Sequence, residues 1–76
     1  MNAKRRKAIT KSLGIIQEQL DSLDIFIEEE QEYIDNFPEN LEGSYRYEKA
    51  EEALADLEFA RDALLDSFSY LESATE

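Results

Sequence analysis

The chain has no cysteine, no histidine and no tryptophan, and only one proline and two glycines in 76 residues. Each shortage removes a class of explanation. Without cysteine there is no disulfide staple and no thiolate metal site. Without histidine the commonest general base and the commonest metal ligand are both missing. No Ser/His/Asp or Cys/His catalytic set can be built, and no glycine-rich phosphate loop occurs. No apolar run approaches the ~18 residues that a membrane span needs. The basic start Lys4-Arg5-Arg6-Lys7 invites a signal-peptide reading. Lys11, Ser12 and Gly14 break the stretch that follows, however, and charge stands where a small-residue cleavage site belongs. The expectation is a cytoplasmic protein without cofactor or metal, and not an enzyme.

What the chain does have is acid. Its net charge is −11, from 8 basic and 19 acidic residues. Lys4, Arg5, Arg6, Lys7 and Lys11 fall in the first 11 residues, where there is no acid, so residues 12–76 carry 3 basic and 19 acidic groups, a net of −16. Such a body repels phosphate and suits a protein partner with a basic surface. Nucleic acid is left only a weak, salt-sensitive contact through Lys4, Arg5, Arg6 and Lys7. The plainer reading of that head is a solvated terminus.

The apolar positions of the first half are Ile9, Leu13, Ile16, Leu20, Leu23 and Ile27, then Ile34 and Phe37, with Glu30 as the one polar member of the series. Steps of 4 and 3 alternate without a break, which predicts an amphipathic helix over about 3–36 with a coiled-coil-like seam. The second half repeats the pattern with Ala50, Ala53, Leu57, Ala60, Leu64, Ser67, Leu71 and Ala74, and predicts a helix over about 45–74. Leu54, Arg61 and Phe68 lie beside that series. Between the helices, Pro38 stops the first, while Gly43 and Ser44 supply a turn and an N-cap across about 37–44. The expected fold is all-α: one domain over 1–76, an antiparallel two-helix hairpin. Facing residue numbers should add to about 84, which sets Phe37 against Tyr47 and lays the basic head near Glu72 and Glu76.

A hairpin this small buries little, and single cores of this size rarely supply more than ~3–5 kcal/mol. Ile15, Ile25, Phe26 and Tyr33 in the first helix and Phe59, Leu65 and Tyr70 in the second lie off the main seam. The favoured reading is a homodimer forming a four-helix bundle, with Ile15, Phe26, Tyr33 and Phe59 as its contacts. The alternatives are a surface for another protein, or harmless scattered exposure.

The acids form rows. Asp21, Glu28 and Asp35 recur every seven residues, with Glu18, Asp24 and Glu32 alongside. Regular carboxylates on a rigid rod imitate a phosphate backbone; ordinary solvated helix faces look similar. A di-iron bundle site fails for want of histidine, and residues 35–48 lack the spacing of a calcium loop. Asn36, Asn40 and Arg46 offer the turn hydrogen bonds and an ion pair to Asp35 or Glu39. A contact role for Phe37, Pro38, Asn40, Tyr45 and Arg46 is the functional alternative.

The turn residues Asp35, Asn36, Phe37, Pro38, Glu39, Asn40 and Leu41, followed by Ser44, Arg46 and Glu48, resemble those of small acidic helical-hairpin proteins of Firmicutes and of their phages and mobile elements. The resemblance implies the hairpin fold and a phage-like setting, and brings no activity with it. The function expected is protein–protein interaction through the acidic surface. Its sharpest form is a phage-type inhibitor that occupies the basic groove of a nucleic-acid-binding host defence protein. The alternative is a structural or assembly adaptor acting through the four-helix bundle.

Overall fold

Asn2 opens the first helix: its side-chain oxygen accepts the backbone N–H of Arg5 at 2.8 Å, which satisfies one of the free donors of the first turn. In the computed structural model, which describes residues 1–76, helix α1 then runs unbroken from Ala3 to Asp35. A single 3-10 turn follows at Glu39–Leu41. Helix α2 spans Tyr45–Thr75, started by the Ser44 hydroxyl, which accepts the Tyr47 N–H at 3.3 Å. The two helices pack as an antiparallel hairpin, a rod of 59 × 14 × 13 Å. Neither helix is long and apolar enough to cross a membrane.

The reversal is backbone work. Phe37 N–H bonds to the Ile34 carbonyl, Leu41 N–H to Pro38 and Ser44 N–H to Leu41. Gly43 takes a φ of +85°, a conformation that costs a side-chain-bearing residue strain. The expected polar ties are absent. The Asn36 and Asn40 side chains make no hydrogen bond, and Arg46 makes no ion pair with Asp35 or Glu39. Backbone bonds already close the turn, so no side-chain tie is needed there.

Register is fixed by two contacts far apart on the rod. Phe37 meets Tyr47 edge-on at 5.3 Å between ring centres, and Arg61 donates to Asp24 at 3.3 Å. Facing residue numbers thus add to about 85. The α1 seam is the expected one, with Ile9, Leu13, Ile16, Leu20, Leu23, Ile27, Glu30 and Ile34 all turned away from solvent to some degree.

The α2 seam differs from the expected one in one of its two rows. Ala50, Leu57, Leu64 and Leu71 face α1, but their partners are Leu54, Arg61 and Phe68; Ala60, Ser67 and Ala74 are exposed. The two candidate rows sit one residue apart and share the same spacing. Burying Leu and Phe removes far more apolar area from water than burying Ala and Ser, so the larger row wins. Only Leu20, Ile34 and Ala50 become buried.

The basic head stands apart. No ion pair joins Lys4, Arg5, Arg6, Lys7 or Lys11 to Glu72 or Glu76. Thr75 comes level with about residue 10, so Lys4 to Lys7 extend past the end of α2, while Lys11, level with α2, is exposed.

Candidate functional site

Residues flanking a helix seam fall to one side or the other according to their phase, so the rod has two unlike long faces. On one, Asp21, Asp24, Glu28 and Asp35 of α1 lie beside Glu51, Glu58 and Asp62 of α2. Arg61 ties the two rows together: its guanidinium reaches Asp24 at 3.3 Å and Asp62 at 3.4 Å. Hydrogen bonding to Asp24 first, and to Asp62 after it, raises the Arg61 guanidinium above its ordinary pKa against the opposing effect of desolvation. Further toward the turn a shallow groove of about 350 Å³ brings Gln31, Asp35, Tyr47, Glu51 and Glu58 to one place. The Tyr47 phenol registers the field there. It is raised above the ordinary tyrosine value, first by its partial burial and then by Glu51, Glu42 and Asp35.

The structure therefore joins most of the expected acidic site and leaves the rest at its edge. Asp21, Glu28 and Asp35 share the face with exposed side chains. Asp24 shares it too but is engaged by Arg61. Glu18 and Glu32 stand toward the back of α1, away from α2, at the outer edge of the face within one turn of Asp21, Glu28 and Asp35. Glu51 and Glu58 complete the face. The seven-residue spacing of Glu51 and Glu58 was visible in the sequence, but their side of the hairpin depended on which α2 row packs inward.

The opposite long face is nearly neutral. Phe26 and Tyr33 of α1 project beside the small residues Ala53, Ala60, Ser67 and Ala74 of α2. Its charges are Glu29, Glu30 and Asp56, set against Arg46 and Lys49. Tyr33, Tyr45, Arg46 and Lys49 line a shallow depression on this side together with Glu30. Ile15 lies on the same side of α1. Phe59 does not: it is 72% exposed on the back of α2, nearly opposite the seam.

The tip carries the largest concavity, about 650 Å³, lined by Tyr33, Asn36, Phe37, Pro38, Leu41, Ser44, Tyr45 and Arg46. Phe37 is its fixed wall, stacked edge-on between Tyr33 at 5.1 Å and Tyr47 at 5.3 Å. The Lys49 ammonium sits 5.5 Å from the centre of the Tyr45 ring. Asn40 lies outside the groove. No three acidic side chains converge to hold a metal ion.

No protein-family model, no curated protein and no solved structure matches this chain.

Proposed function

We propose that the hairpin is a non-enzymatic interaction module whose acidic long face occupies the basic, nucleic-acid-binding surface of a partner protein. The observation that carries the reading is charge density on one side of a rigid rod. From Asp21 to Asp35 is ~21 Å of helix at ~1.5 Å per residue. Seven carboxylates lie at those levels on this face, four from α1 and three from α2, and Arg61 offsets one. The face thus presents one net negative charge per ~3.5 Å, close to the ~3.4 Å spacing along one strand of DNA. In the phage-like setting that the turn resembles, the fitting role is an inhibitor that denies a host defence protein its nucleic acid. Binding is then steric and electrostatic, and it weakens as salt rises.

The test pairs the native chain with the triple variant Asp21→Asn, Glu28→Gln, Asp35→Asn, all at exposed positions that leave the seam intact. Both are used to capture partners from nuclease-treated lysate at low and high salt. The native chain should retain basic proteins that salt or added DNA releases. Three exposed charges at ~0.5 kcal/mol each make about 1.5 kcal/mol, so the variant should bind roughly tenfold more weakly. Equal capture by the variant would refute the reading.

A further inference from the structure

We propose that the near-neutral long face is the seat of a second copy of this chain, joined with both turns at the same end of a four-helix bundle. Three observations converge on that occupant. The first is charge. Two chains of net −11 can approach closely only where carboxylates are sparse. The face bearing Phe26 and Tyr33 sets three acids, Glu29, Glu30 and Asp56, against two bases, whereas the opposite face would bring seven carboxylates from each chain together.

The second is area. The helices run side by side over about residues 10–35, ~39 Å at ~1.5 Å per residue, and at 14 Å wide that face offers roughly 550 Å², above the ~500 Å² per partner that a specific interface must clear. With only three residues buried in the single hairpin, that surface is the largest source of further burial the chain has.

The third is register. A twofold axis along the rod leaves heights unchanged, so α1 of one copy meets α2 of the other at the same levels as within a hairpin. Facing numbers then add to about 85. Phe26 comes level with Ala60, Tyr33 with Ala53, and Gln19 with Ser67, each within about one residue's rise of ~1.5 Å. Large side chains on α1 therefore meet small ones on α2, which lets neighbouring helices approach and interlock. With the turns at opposite ends, α1 would pack on α1 and α2 on α2, setting large against large and small against small. The same-end arrangement also explains the seven-residue recurrence of Ala60, Ser67 and Ala74, which the hairpin leaves exposed, with Ala53, which it covers only in part. It leaves one acidic face on each side of the bundle, pointing apart.

Glu29 and Asp56 come level at the rim of this contact, so association strengthens as salt screens them and the two net charges. Capture of a basic partner has the opposite salt response, and the two proposals therefore fail separately. Sedimentation equilibrium of the native chain at low and high salt should show a dimer that tightens with salt. Ala60→Glu, at a position exposed in the hairpin, should give a helical monomer; a dimer that survives it refutes the face. The exposed pair Gln19→Cys and Ser67→Cys, made in separate chains with no native cysteine to interfere, tests the register. Mixed and oxidised, they should yield a disulfide-linked heterodimer, and neither should crosslink alone. A native chain that remains monomeric at both salts overturns the proposal, and crosslinking of one variant with itself but not with the other overturns the same-end arrangement.

Discussion

Replacing Glu30 with leucine should stabilise this hairpin. Glu30 occupies a seam position between Ile27 and Ile34, is mostly covered, and has no ion pair within 4.0 Å. At its level on α2 stands the half-buried Leu54. A fully buried leucine gains ~1.5–3 kcal/mol over an exposed one. The site is mostly but not fully covered, so the gain is at least ~1 kcal/mol, and removing a partly desolvated carboxylate adds to it. For a chain of this size, ~1 kcal/mol moves the melting temperature by ~4–8 °C. The assay is thermal melting followed by circular dichroism at several chain concentrations, with native and variant side by side. An unchanged or lower melting temperature would refute the reasoning and show that the Glu30 carboxylate holds a stabilising contact. The acidic face should be indifferent to the change, because Glu30 belongs to the seam.

Gly43→Ala should lower the melting temperature by ~4–8 °C. No heavy atom lies within 4 Å of the added methyl, so the whole effect is the ~1 kcal/mol strain of a left-handed alanine. An unchanged melt would mean that the turn relaxes to another conformation. Raising the pH should destabilise the hairpin through Tyr47. Its phenol is raised in the folded chain, so its share of stability is whole below the ordinary value near ~10 and is lost as pH climbs through the raised one. Melting curves on either side of that value should show the loss, and Tyr47→Phe should reduce it; an equal loss in the variant would assign it elsewhere.

The hairpin was legible in the sequence because its α1 seam is redundant. Eight successive positions obey one spacing, and no alternative row competes with them. In α2 two rows one residue apart satisfy the same spacing, and periodicity cannot choose between them. The area of Leu54 and Phe68 decides, and the aliphatic stem of Arg61 lets a cation sit in the row between them. That choice fixes which α2 acids join the face, so the siding of Glu51, Glu58 and Asp62 with Asp21, Glu28 and Asp35 could not be read in advance. The turn shows the same limit at smaller scale. Asn36, Asn40 and Arg46 have the chemistry for ties, but Gly43 and the backbone complete the reversal without them.

The edge-on stack of Phe37 between Tyr33 and Tyr47 also bears on the order of events when the chain folds. Phe37 and Tyr47 are close in sequence, whereas Asp24 and Arg61 are 37 residues apart. Closing the longer loop first costs ~1 kcal/mol more in chain entropy. Once the tip has closed, each further pair along the rod adds only two residues of loose chain. Loop entropy therefore favours an assembly that starts at the aromatic tip and proceeds as a zipper toward Leu13 and Leu71. The hairpin's largest groove is therefore also the expected folding nucleus, and Phe37→Leu should slow folding more than it speeds unfolding.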